Sequence, residues 1–282
     1  MKRFLIIAAV AMGFVSCGKE VNGIVDDENG EKRVTFNLEG NWNSPVFTRG
    51  SLSADGKEMT DLWLFDYVDG TLVQSLHQVS TDADFGEPSP TLTYGQHKIY
   101  FVVSRGGSPS VNGTVISWAS IRDTFWKSLS VSVGGSSSSS YSVTMERVVT
   151  KLKITATDAV PEGTATVVVL PEKWYYGLDY LTGEPADLHD SEEMAANVPD
   201  SYIGTTGLAV SFFGFSSATE WTTPLTVSAR DGENDIIGMV NVAAAPFMAN
   251  RATEYSGSLF TSGGAFAITL NDEWDTPWTG SW

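Results

Sequence analysis

The chain has 282 residues, 42% hydrophobic and 18% charged, with 34 acidic and 17 basic side chains for a formal net charge of −17. This composition is globular, not disordered, and the length suits two domains of ordinary size. The acidic surplus repels phosphate backbones, which excludes nucleic acid as a partner and leaves solubility, or acidic calcium sites, as its meaning.

The first residues read as an export signal. Lys2 and Arg3 form a positive start, and "FLIIAAVAMGFV" is an apolar stretch too short to span a bilayer. Residues 1–16 are therefore expected to be removed. The chain's single cysteine, Cys17, follows at once. "Phe14-Val15-Ser16-Cys17" resembles the bacterial lipobox, with Phe14 where leucine is usual. Such a cysteine carries a thioether-linked diacylglycerol, and two or three acyl chains anchor stably where one is marginal. The plainer reading is a chance cysteine in a conventional signal peptide. Residues 17–33 are polar and aperiodic, as expected of a tether between membrane and fold.

From residue 34 onward, alternation with a period of two dominates. "VTFNLEG" sets Val34, Phe36 and Leu38 on one face and Thr35, Asn37 and Glu39 on the other. "DLWLFDYVDGTLVQSLHQ" reads as a hairpin turning at Asp69-Gly70. "HKIYFVVSRGG" reads as a central strand, "SVTMERVVTKLKITATD" as one long strand, and "GTATVVVLPEKW" as its hairpin partner across the turn at Pro161 and Gly163. "GLAVSFFGF", "PLTVSARDGENDIIGMVNV" and "GAFAITLND" complete the set. Helix signals are weak. Residues 114–129, with Ile116, Ile121, Phe125 and Leu129, predict one short helix, and "ADLHDSEEMAANV" predicts a further turn. The pattern is all-β. About fourteen strands predict two tandem β-sandwiches of roughly seven each. The serine run at 134–140 is a hairpin loop or an interdomain linker. The boundary is placed beside it, giving an N-terminal sandwich over 34–140 and a C-terminal one over 141–282.

Catalytic groups do not converge. His77, His97 and His189 lack metal-ligand spacing, and His77 and His97 read as structural. No nucleophile elbow, phosphate loop or dinucleotide fingerprint occurs. "DADFGE" at 82–87 lacks the later oxygen ligands of a calcium loop and reads as a plain loop. No enzyme activity, metal or cofactor is expected. Trp63, Trp118, Trp126, Trp174, Tyr175, Tyr176 and Trp221 either fill sandwich cores or stack on sugars. Trp274, Trp278 and Trp282, four apart beside Pro277 and Gly280, either clamp the tail or face a partner.

"VTFNLEG…FTRG", "MTDLWLFDYVDGTLVQ", "RVVTKLKITATD" and "NRATEYSGSLF" together resemble the fimbrillin superfamily: type V pilus subunits of Gram-negative anaerobes, with their anchor and accessory proteins. The resemblance runs from about Val34 to Leu270, and "LWLFDYVDG" is nearest the anchor or accessory branch. It implies an exported lipoprotein with two transthyretin-like sandwiches, at the outer membrane and exposed on the cell surface. It also implies assembly by strand exchange. In such subunits an arginine-specific protease removes the first strand, and a neighbour's strand refills the groove. The matching bond here joins Arg49 to Gly50, and the displaced strand would carry Val34, Phe36 and Leu38. Phe266, Ile268 and Leu270 repeat the apolar step that a donor strand needs, although every half-buried strand alternates in this way. Only twelve residues follow Leu270, a short arm, which favours an anchor, tip or accessory subunit that keeps Cys17 and leaves Arg49 uncut. The implied partners are other pilus subunits, the outer membrane through the lipid, and a host or bacterial surface ligand. The competing reading is a glycan-binding surface lipoprotein.

Overall fold

The computed structural model describes residues 26–27, 30–40, 59–105, 107–261 and 263–272. Among them the chain is all-β, with one 3-10 turn at Asp200–Tyr202 as its helical element. The strands of the first half are β1 (Asp26–Asp27), β2 (Glu31–Arg33), β3 (Thr35–Gly40), β4 (Asp61–Val68), β5 (Thr71–Val79), β6 (Thr91–Thr93) and β7 (Gly95–Ser104). Next come β8 (Pro109–Asn112), β9 (Val115–Trp118), β10 (Thr124–Val133), β11 (Ser140–Arg147), β12 (Val149–Ala156) and β13 (Thr164–Pro171). The rest are β14 (Lys173–Asp179), β15 (Glu184–Asp190), β16 (Met194–Asn197), β17 (Leu208–Phe215), β18 (Trp221–Asp231), β19 (Ile236–Phe247), β20 (Ala252–Gly257) and β21 (Phe266–Asn271).

These strands form five sheets. A small sheet, β1-β2-β6, faces a six-stranded one ordered β3-β11-β10-β7-β4-β5. Val34, Phe36 and Leu38 join Leu62, Leu64, Phe101, Phe125 and Val143 in the core of this N-terminal part. The other face of the six-stranded sheet is also covered. Trp63, Phe65 and Val102 point away from that core into a second cluster, which continues through the C-terminal part to Leu259. The cover is a four-stranded sheet, β15-β14-β9-β8, built from both halves of the chain. Beyond it stand the sheets β17-β12-β20-β21 and β16-β13-β18-β19. β4 is therefore buried on both faces, which is why "LWLFD" reads as a near-continuous apolar run.

Several local expectations hold. Asp69 and Gly70, with φ of 49° and 76°, turn the β4–β5 hairpin in the left-handed region that Asp-Gly tolerates. Asp231 turns β18 into β19: its carboxylate accepts hydrogen bonds from the Glu233 and Asp235 amides. The loop at 82–87 is held by Gln78, which donates to the Asp84 carbonyl and accepts from the Gly86 amide.

Others fail for identifiable reasons. Residues 114–129 hold β9 and the start of β10, not a helix. β10 pairs with β7 across its ten residues, and β9 is sandwiched between β8 and β14. Residues 186–198 form parts of β15 and β16, not a helical turn. The strand count among described residues is 21, not about fourteen, because short pieces such as β1, β2 and β6 are too brief to show a period. β12 and β13 do not form a hairpin: β12 pairs with β17 and β20, whereas β13 pairs with β16 and β18. The Pro161–Gly163 turn is an arch between two sheets, because both strands need a covered face. The long strand at 142–158 is divided at Val148, where β11 leaves one sheet and β12 enters another. The serine run is a turn between β10 and β11, two strands of the same six-stranded sheet.

Candidate functional site

β3 sits at the edge of the six-stranded sheet and pairs in parallel with β11, from Thr35 beside Ser140 to Gly40 beside Met145. Its alternation is realised as burial. Val34 and Phe36 are completely buried and Leu38 nearly so, while Glu39 is exposed. Phe36 meets Phe101 edge-on at 5.1 Å and stacks with Tyr141 at 5.8 Å. The second flank of the segment is tied less regularly. The Val34 and Phe36 amides donate to the Pro90 and Pro88 carbonyls, each at 3.0 Å. Just ahead, β2 places Lys32 under the serine turn. Its buried ammonium donates to the Ser137 and Gly135 carbonyls at 2.7 and 3.2 Å, with the Gly134 carbonyl at 3.5 Å. Sequence reasoning missed this staple, because carbonyl acceptors leave no mark in composition.

Cys17, Arg49 and Gly50 lie outside the described residues, as do Trp274, Trp278 and Trp282. Phe266, Ile268 and Leu270 lie on β21, an edge strand paired antiparallel with β20. They stand opposite Gly257, Tyr255 and Thr253 on the inward face of their sheet. Tyr255 and Thr253 are buried there, yet Ile268 and Leu270 are 47% and 42% exposed. This inward apolar face therefore runs past the cover that the opposite sheet provides. Asp272, just after β21, ion-pairs with Arg251, which also holds Glu220.

The parts are locked together by aromatic and polar contacts. Tyr180, which follows β14, stacks on Phe65 at 3.8 Å, and its hydroxyl meets that of Tyr67 at 3.0 Å. Burial and the Tyr67 contact raise the Tyr180 pKa above the ordinary phenol value. Trp126 donates its indole N–H to the Tyr180 carbonyl at 2.8 Å. Arg147, at the end of β11, bonds Asp123 through Nε and a terminal nitrogen, and reaches Asn250 at 2.7 Å.

The histidines divide by environment. Buried His97 bridges the Asp66 carboxylate and the Thr93 carbonyl, a structural link between β7 and β4. His77 stacks on Trp63 and bonds Asp61. His189 lies between Glu192 and Asp187, and its hydrogen bond to Glu192 raises its pKa. Neighbouring Tyr176 is pushed up to about 12, by burial first and then by Glu192. Among described residues, Trp63, Trp118 and Trp174 are buried, and Trp126 and Trp221 are half-buried. A groove of about 340 Å³, lined by Leu170, Glu172, Ser191, Thr226, Asn241 and Val242 among others, contains no aromatic ring.

No curated protein matches the sequence. Solved structures share the fold. The fimbrial anchor protein Mfa2 from Porphyromonas gingivalis superposes with a TM-score of 0.51 at 9% identity, covering 85% of this chain and 97% of that one. A candidate polysaccharide-binding protein (DUF1812) from Bacteroides thetaiotaomicron VPI-5482 gives 0.52 at 9% identity, covering 85% and 96%. A candidate adhesin from Bacteroides ovatus ATCC 8483 gives 0.50 at 12% identity, covering 82% and 88%. At such identities the likeness is one of fold, and it is the fold that the fimbrillin resemblance implies. Residues 111–282, more than half of the chain, match the family of unknown function DUF6562, and the chain belongs to that family.

Proposed function

We propose that this chain is a surface-exposed lipoprotein of the outer membrane, built as two lobes. In this reading it works as a fimbrial anchor or accessory subunit that supports cell adhesion. The observation that carries the proposal is β3: an edge strand whose Val34, Phe36 and Leu38 complete the N-terminal core. Removing it would forfeit about 5–8 kcal/mol of side-chain burial, as much as the net stability of a small domain. It would also leave the β3-facing backbone groups of β11, over Ser140–Met145, without partners. A lobe built in this way cannot stay empty; it holds its own β3 or takes a replacement. Acylated Cys17 retains the chain at the membrane, Arg49–Gly50 stays joined, and β3 stays in place. β21, with Phe266, Ile268 and Leu270, is then the strand offered to a neighbouring pilus subunit by strand addition.

Glycan binding is the weaker reading. The described tryptophans lie in the core or pack against it. The test is the pair Ile268→Lys and Leu270→Lys in the producing cells. The proposal expects the protein to remain in the membrane fraction while pili are shed into the medium. Pili that stay attached at the wild-type level would overturn it.

A further inference from the structure

Near the chain's entry to its first half and its exit from its second, two strand pairs run in parallel. β3 runs beside β11, and β12 runs beside β20, each over six residues of register. β11 and β12 are separated by Val148 alone, so residues 140–156 form one nearly continuous line through the molecule. Its first part has β3 as a parallel neighbour and its second part has β20. The joint is fixed. The Val148 amide donates to the Thr124 carbonyl, the Val148 carbonyl accepts from the Ser216 amide, and the Asn250 amide donates to the Val149 carbonyl. Arg147 sits beside this joint, held by Asp123 and Asn250.

We propose that this protein bears tensile load, with β3–β11 and β12–β20 acting as two shear clamps in series. The proposal deepens the anchor reading above, in which the chain is held at Cys17 and pulled from its far end. Tension then passes through β2 and its three-residue pairing with β6, and draws β3 by its N-terminal end and β11 by its C-terminal end. In a parallel pair those ends point in opposite directions along the strand axis. The evenly spaced hydrogen bonds are loaded together and must fail together, not one at a time from an end. The same geometry holds for β12, pulled at its start, and β20, pulled at its finish. Lys32 reinforces the first clamp by tying the entry of β3 to the turn that precedes β11. β21 lies outside the second clamp. Its last residue, Asn271, pairs with Ala252, which lies beside Lys151 near the start of β12. Load at the C-terminus therefore peels β21 from β20 one bond at a time before it reaches the clamp.

The test is single-molecule force spectroscopy on the unlipidated full chain, since forced rupture reads the unfolding barrier directly. One handle is attached to the Cys17 thiol and the other to the C-terminus. The expected record is a small early step from β21, followed by two high-force ruptures. The comparison is Ser136→Cys, at an exposed turn position ahead of β11, held together with Cys17. That tether pulls β3 from its start, where Thr35 pairs with Ser140, against the turn just ahead of β11, so the pair unzips. The first lobe should then open at a several-fold lower force. Rupture forces in the end-to-end geometry that equal or fall below those of the Cys17–Ser136→Cys geometry would overturn the clamps. This measurement does not depend on acylation or on any pilus partner, so its failure would leave the anchor reading standing, and the reverse.

Discussion

Arg147 donates to Asp123 from Nε at 2.7 Å and from a terminal nitrogen at 3.1 Å, a fork-to-fork pair placed where the chain passes from one sheet to the next. Both side chains are largely buried, at 4% and 13% exposure. The guanidinium also lies over the Phe125 ring at 4.8 Å and reaches Asn250. One planar cation thus gathers β10, β11 and the turn before β20. Replacing it with alanine leaves the Asp123 carboxylate half-satisfied in a poor dielectric, and should cost about 3 kcal/mol or more. Arg147→Lys should recover little, because a single ammonium cannot fork to Asp123 and also reach Asn250. Urea unfolding of the three chains measures both effects.

His97 and Asp66 form a second buried pair, at 1% and 2% side-chain exposure. His97→Leu strands the carboxylate between β4 and β7 and should lose about 3–5 kcal/mol. The double variant His97→Leu with Asp66→Leu removes both polar groups, and should regain most of that loss. A double variant no more stable than the single one would show that packing, not the stranded charge, sets the cost.

Asp158 ties down the connection between β20 and β21. Burial works against its ionisation, but the Leu259, Phe260 and Thr261 amides outweigh this and hold its carboxyl below the ordinary value of 3.8. A depressed native pKa stabilises the fold above the unfolded value, and that stability is lost as pH falls through the native value. The urea midpoint should therefore drop below about pH 3.8. Asp158→Asn should flatten this acid limb and cost about 1 kcal/mol at neutral pH. His189 has the opposite sign. Its raised pKa gives stability that is present below 6.5 and lost as pH rises above it, and His189→Gln should remove that dependence.

Gly183 supports the junction. It has φ of 77°, and a Cβ there would stand 2.7 Å from the Trp126 ring. Gly183→Ala should cost about 1–3 kcal/mol, through the left-handed backbone and the displaced indole. The Trp126 bond to the Tyr180 carbonyl should weaken with it, which indole hydrogen exchange would register.

The sequence showed strands more readily than sheets. Val34, Phe36 and Leu38 announce a buried face by alternation alone, and Asp69-Gly70 announces its hairpin. The parallel partners of β3 and β12 are invisible locally, because Thr35 pairs with Ser140 across more than a hundred residues. Phe125 and Leu129 misled because a spacing of four fits both a helix face and a strand face, and Ile121 lies before the strand and packs in the other core cluster. The arch at Pro161 looked like a hairpin because turn chemistry is the same whether the chain returns to its own sheet or crosses to another. At the candidate site the alternation of β21 was legible, but the exposure of Ile268 and Leu270 was not. It depends on what the opposite sheet fails to cover.

The anchor account stands most directly on the N-terminus of the protein as it occurs in outer membranes. Mass spectrometry of the protein extracted from that fraction should find a first residue, Cys17, carrying acyl chains, with the Arg49–Gly50 bond intact. A chain that begins at Gly50, or an unmodified Cys17, would contradict it.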